Sequence, residues 1–239
     1  MCQRQEVIRS PDKNAAIRLV VGLGNPGPDH ESDRHNAGFW FLDRLQQQYD
    51  PHAAFRSETK FFGETAACRI NGHMLFLLKP STWMNRSGQA VLALSHFYKI
   101  QTDEILVAHD ELDLLPGVAK LKFGGGSAGH NGLKDISQRL ASDHYWRLRI
   151  GIGHPRSLNL EQAVGDFVLH RPAQEQRAQI DTALLTILAQ SKAFLLGERE
   201  RAIAMIHRAL PGKSTSSPDD PSRGTGQAVD QGKVDPNSA

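Results

Sequence analysis

The chain has 239 residues, 39% of them hydrophobic and 23% charged, and a formal net charge of +2. That composition provides a packed core for one large domain or two small ones, and it excludes disordered and collagen-like classes. The near balance of charge means that a polyanion partner has to be argued from a local patch, and no apolar run is long enough for a membrane span.

The two cysteines, Cys2 and Cys68, are too few and too scattered for a disulfide framework or a metal site, which points to a reducing cytoplasm. The N-terminus lacks the apolar middle region of a signal peptide. Residues 1 to about 15 are polar and aperiodic and are expected to form a flexible extension.

Residues 17–23 are short, apolar and β-branched, the pattern of a buried central strand. The chain then breaks into Gly22, Gly24, Asn25, Pro26, Gly27 and Pro28. A polar connection leads to Arg34-His35-Asn36, and apolar residues at 38, 41, 42, 45 and 49 predict a helix over 36–49. Asn25 and His35 therefore both fall in loop at the end of a core strand, the edge where open α/β sheets build sites.

Strands are predicted over 61–70 and 73–78, joined by Asn71-Gly72, the preferred two-residue hairpin turn, because both turn positions need positive φ. Lys79-Pro80 ends the second strand. A helix is expected over 87–98 and a buried strand over 105–109, with Asp110-Glu111-Leu112-Asp113 at its end. Pro116-Gly117 turns the chain into a strand at 118–123. The glycine-rich run 124–129 is a mobile loop by composition.

A helix over 131–140, a strand over 146–152, a helix over 172–196 with Pro172 in its first turn and a helix over 199–210 complete the pattern. The 29 residues from Pro211 to Ala239 hold four Pro, four Gly and five Ser. They offer too little apolar surface to offset their ordering entropy and are expected to be disordered. The fold class is one α/β domain, residues 16–210, with a mixed central sheet flanked by helices, since the hairpin forces antiparallel pairing.

Several motifs carry competing chemistry. Gly22-x-Gly24-x-x-Gly27 matches the dinucleotide fingerprint, but prolines and a charged loop follow it instead of a helix opening within the glycines. Gly125-x-Ser127-x-Gly129 lies between a strand and a helix, like the nucleophile elbow of α/β-hydrolases, with Asp166 and His170 or Asp181 and His207 as its possible partners. His109, Asp110, Glu111 and Asp113 suggest a metal, although strand neighbours point to opposite faces. A third reading has Asp110 orienting a histidine, with His35 best placed and His130-Asn131 approaching from another side.

One resemblance absorbs most of these residues. GLGNPG at 22–27, RHNAG at 34–38, KFFG at 60–63, KPSTWMNRSG at 79–88, HDELDLLPG at 109–117, GGGSAGHNGLKDI at 124–136 and RLRIGIGHP at 147–155 are similar to segments of bacterial-type peptidyl-tRNA hydrolases, in the same order. The resemblance implies a single-domain α/β monomer that hydrolyses the ester joining a peptide to the tRNA 3′ end and so recycles dropped peptidyl-tRNA. It implies no cofactor and no metal.

By the same resemblance, His35 is the base that activates water, Asp110 fixes its tautomer, and Asn25 helps distinguish a blocked aminoacyl group from a free amine. Asn85 and Asn131 hydrogen-bond the peptide and the terminal nucleotide, Met84 and Trp83 shape the pocket, and His130 lies in the lid. Lys120, Lys122, Arg149 and Lys134 form the phosphate-facing patch. The chain departs from the family at His30 and Asp33, where tyrosine and threonine are usual; His30 thus occupies a substrate-contact position. Two alternatives stay open at this point, a serine esterase using Ser127 and an RNA-binding scaffold with little hydrolysis.

Overall fold

The computed structural model describes residues 12–210, so the expected disordered tail and most of the expected N-terminal extension lie outside the described residues. Residues 12–15 are tied down. The Arg199 guanidinium donates to the Lys13 carbonyl at 2.6 Å and also to that of Ala15, and the Asp12 N–H donates to Asp103 at 2.6 Å.

The seven strands are β1 (Leu19–Gly22), β2 (Arg56–Glu58), β3 (Gly63–Ile70), β4 (His73–Pro80), β5 (Ile105–Glu111), β6 (Ala119–Phe123) and β7 (Trp146–Gly151). They form one sheet in the order β2-β3-β4-β1-β5-β7-β6. The centre is parallel and both flanks are antiparallel. Between them run α1 (Ala37–Tyr49), α2 (Ser87–Phe97), α3 (Asn131–Leu140), α4 (Val164–Val168), α5 (Gln174–Leu195) and α6 (Arg199–Ala209).

Alternation along the strands feeds two cores. Val20, Leu77, Ala108 and Leu148 pack with α1, α5 and α6, while Leu19, Val21, Leu78 and Val107 pack with α2 and α3. The hairpin forms as its turn demands, with Asn71 and Gly72 at φ 49° and 84° and Ile70 paired to His73. Its first strand starts at Gly63 rather than at 61, because residues 59–61 form a 3₁₀ turn and Phe62 adopts φ 51°. The 172–196 helix starts later than expected, at Gln174, with Pro172 outside it. Asp110 and Glu111 belong to β5 itself, which runs two residues past the expected end.

The glycines after β1 have a packing cause. A Cβ on Gly22 would lie 2.5 Å from the Gly38 carbonyl oxygen, and one on Gly38 would lie 2.4 Å from the Leu23 nitrogen. The start of α1 therefore lies directly against β1 and β5. That contact, not a nucleotide, accounts for the Gly22-x-Gly24 spacing.

Candidate active site

β1 and β5 are parallel neighbours, so the loop after β1 and the last residues of β5 meet at one sheet edge. The loop holds two 3₁₀ turns, Pro28–His30 and Arg34–Asn36. Arg34 is buried and anchors the second turn. Its guanidinium lies 3.9 Å above the Phe167 ring and donates to the carbonyls of Phe167 and His170 at 3.1 and 2.9 Å. His35 is thereby held with Nδ1 2.9 Å from Asp110 Oδ1. Its Nε2 has no hydrogen-bond partner among the described residues.

Asp110 is 4% exposed. Burial alone would raise its pKa, but His35 and His130 outweigh burial and hold the carboxyl far below the usual range. For His35, burial disfavours the charge, yet Asp110 and, more weakly, Asp33 overcome it and leave the imidazole above its ordinary value. The carboxylate accepts a hydrogen bond from Nδ1–H, which leaves the Nε2 lone pair as the basic atom.

His130 meets the same oxygen from the other side, with Nε2 3.0 Å from Asp110 Oδ1. Its Nδ1 caps α3, accepting from the N–H groups of Gly132 and Leu133 at 3.2 and 3.4 Å. The cap fixes the tautomer, because an accepting Nδ1 puts the proton on Nε2. The three ligand atoms of His35, Asp110 and His130 lie within 4.8 Å of one another, a spacing that suits metal ligation. The hydrogen bonding does not suit it, since Nε2 of His130, the atom a metal would take, carries the proton.

His109, between Ala108 and Asp110, is fully buried. Its Nδ1 lies 2.7 Å from the Asp110 carbonyl oxygen, and its ring meets the His130 ring edge-on at 5.1 Å. Burial, then His130 and Arg147, push it down to about 3. His109, Asp110, Glu111 and Asp113 do not converge as a metal set. Glu111 pairs with Arg149 at 2.8 Å, and Asp113 is exposed.

Asn25 is set by Asn36. The Asn25 N–H donates to Asn36 Oδ1 and the Asn36 side-chain amide donates to the Asn25 carbonyl, both at 2.9 Å. Asn25 Oδ1 accepts from the Met84 N–H at 3.0 Å, so its own amide N–H groups remain as donors. Met84 is buried against the start of α3, where a Cβ on Gly132 would lie 2.6 Å from its sulfur. This contact brings Asn85, exposed on the turn Met84–Arg86, and Asn131, exposed at the first position of α3, into neighbouring elements. His30 bonds Asp33 at 2.8 Å and stands edge-on to Trp83, which is 58% exposed, at 5.7 Å. The two departures in the first loop thus form a pair of their own.

In the antiparallel β6–β7 register, Lys120 faces Arg149 and Lys122 faces Arg147. Leu121, Leu148 and Ile150 pack on one side of the sheet, so all four basic residues lie on the other face, where Arg147 itself is buried. Lys134 is exposed on α3.

Ser127 Oγ has no hydrogen bond to a histidine or an acid among the described residues. Asp181 instead pairs with Arg44 and Arg177, and His170 Nδ1 contacts the Asp166 backbone carbonyl, not a serine. The elbow reading therefore lacks its triad. Sequence reasoning missed Arg34, Asn36 and Arg147. The only sequence signal was their adjacency to His35 and their alternation with Arg149.

The profile of the family described as peptidyl-tRNA hydrolase matches residues 19–214. The curated peptidyl-tRNA hydrolase of Bordetella avium is 56% identical over 193 residues, covering 81% of this chain and 92% of its own. That of Bordetella petrii is 54% identical over 201 residues, covering 84% and 95%. The crystal structure of peptidyl-tRNA hydrolase from Acinetobacter baumannii is similar at a TM-score of 0.75 and 42% identity, covering 83% of this chain and 97% of that one. No described helix is long and apolar enough to cross a membrane.

Proposed function

This chain belongs to the peptidyl-tRNA hydrolase family and hydrolyses peptidyl-tRNA, and from that premise we propose that His35 activates the water that attacks the ester at the tRNA 3′ end. The observation that carries the reading is the Nδ1–Asp110 bond at 2.9 Å with Nε2 left free.

The Nε2 lone pair takes a proton from water as the hydroxide oxygen bonds to the ester carbon. Asp110 stabilises the imidazolium that forms. The developing oxyanion needs preorganised donors, and we assign that role to the amide N–H groups of Asn25, whose Oδ1 is already committed to the Met84 N–H. The intermediate collapses with loss of the ribose 3′ oxygen, which receives the proton back from His35. An ester with a neighbouring hydroxyl is a good leaving system, so a base and oxyanion donors suffice.

His30, Trp83, Met84, Asn85 and Asn131 are assigned to the peptide and the terminal nucleotide. His130 has both ring nitrogens committed, so we assign it to holding Asp110 and α3. Lys120, Lys122 and Arg149 serve tRNA phosphates, which give affinity without sequence choice. The catalytic domain is taken as residues 16–210. It acts as a monomer in the cytoplasm, a reading that suits Cys68, a buried free thiol that burial and Asp50 push up to about 11.

The test is turnover of an N-blocked aminoacyl-tRNA. His35→Ala should abolish most of it and Ser127→Ala should keep it. Stoichiometric labelling of Ser127 by a serine-reactive phosphonate, with loss of activity, would contradict the reading.

A further inference from the structure

Arg147 is the second residue of β7, only 3% exposed, with no carboxylate in ion-pair distance among the described residues. A buried guanidinium without a counter-ion is costly unless other groups take its donors. Here consecutive backbone carbonyls take the two terminal nitrogens, while Nε finds no partner among the described residues. One terminal nitrogen donates to the Gly126 carbonyl at 2.6 Å and the other to that of Gly125, while the guanidinium carbon stands 4.8 Å from the Tyr145 ring centroid. The fork suits two adjacent acceptors as a lysine would not.

Gly124 and Gly125 have φ 65° and 104°, so the chain leaving β6 curls back over β7. From the clamped Gly126 it is four residues to His130, whose N–H donates to the Ser127 carbonyl at 2.8 Å. His130 then joins Asp110 and caps α3.

We propose that Arg147 is a positioning residue, one that pins Gly125 and Gly126 and so delivers His130 to Asp110 and Asn131 to the mouth of the site. The inference rests on the reading of His35 as base. His35 is faced by Asp110 from β5, by Asp33 from its own loop and by His130 from the cap of α3, and His130 is faced in turn by His109 from β5. If the loop loosens, Asp110 loses the His130 donor, and its charge becomes more available to protonated His35. The rising limb of kcat/KM, set by His35, should then move to higher pH.

The experiment uses the full chain with Arg147→Lys and Arg147→Met. It records the pH profile on N-blocked aminoacyl-tRNA and the ring-nitrogen NMR signals of His130. Wild type should show a protonated Nε2 and an unprotonated Nδ1. Arg147→Lys should blur that signature, lower kcat more than it changes KM for a one-nucleotide substrate, and raise the limb as much as His130→Asn does. The double variant should shift no further, because both changes act on one contact.

A folded Arg147→Lys with the wild-type His130 signature and an unmoved limb would overturn the inference. So would shifts that add in the double variant, and so would failure of both Arg147 variants to fold, since that makes the role structural. Failure of the His35 reading would be seen separately, as full activity in His35→Ala, while the NMR readout still reports on the loop.

Discussion

Two histidines share one oxygen of Asp110, and they reach it from regions built in different ways. His35 comes from a 3₁₀ turn anchored by Arg34 and presents Nδ1, leaving Nε2 free. His130 comes from a helix N-cap and presents Nε2, because its Nδ1 already accepts two backbone N–H groups. The residue type, the distance and the carboxylate are nearly the same, yet only one imidazole keeps a lone pair to offer a substrate water. On the proposed mechanism, what separates a base from a brace is the use of the second ring nitrogen, which the local backbone decides.

The sharpest way to break this comparison is to remove each ring in turn. His35→Ala should lower turnover by about 10²- to 10⁴-fold, the range for a lost general base. His130→Ala should cost roughly tenfold, the scale of one hydrogen bond to a charged group at about 1.5 kcal/mol. Equal losses in steady-state kinetics would erase the distinction.

The third histidine of the cluster tests burial. His109 is held neutral down to about 3, whereas the unfolded chain binds its proton near pH 6.5. Below pH 6.5 the unfolded state gains a proton that the folded state refuses, so stability should fall with decreasing pH by up to about 1.4 kcal/mol per unit. His35 runs the other way. Its value is raised on folding, so its share is complete below pH 6.5 and fades as pH rises through the folded value. His109→Leu should flatten the decline of the denaturation midpoint between pH 6.5 and 4, and an unchanged slope would show that His109 is not the source.

A smaller effect distinguishes the brace from the base by stability. His130→Ala should lose the α3 cap at about 1 kcal/mol. His130→Asn keeps a capping acceptor and should recover most of the melting temperature without recovering the contact to Asp110. Smallest for the chemistry itself is Lys122→Ala. It should flatten the salt dependence of tRNA binding by about 0.9 in logarithmic slope and leave a one-nucleotide substrate almost untouched. Equal losses on both substrates would place Lys122 in the pocket.

The sequence disclosed what is local and hid what is distant. The helix over 131–140 and the Asn71-Gly72 hairpin follow from periodicity and turn chemistry a few residues long, and α3 and the turn occupy those positions. β2 has three residues, none of them buried, and α4 has five, so neither carries a periodic pattern to read. His35, Asp110 and Asn25 were visible as polar residues at strand ends. Arg34 was not, because its acceptor at His170 is 136 residues away. Asn36 looked like a helix start but locks the Asn25 backbone. Arg147 carried no role in the sequence, and only the fold shows its guanidinium spent on the glycine loop.

The most direct test of His35 and Asp110 as a base and its orienter is the pH dependence of kcat/KM in wild type and Asp110→Asn. Burial opposes charge on His35 and Asp110 outweighs it, so the wild-type limb should rise through a value above 6.5. Asp110→Asn should keep the shape of the site, lower the plateau strongly through the wrong tautomer, and move the limb to lower pH. A limb that stays in place, with losses that multiply when His35→Ala is added, would mean that the two residues act independently and that His35 is not the base Asp110 serves.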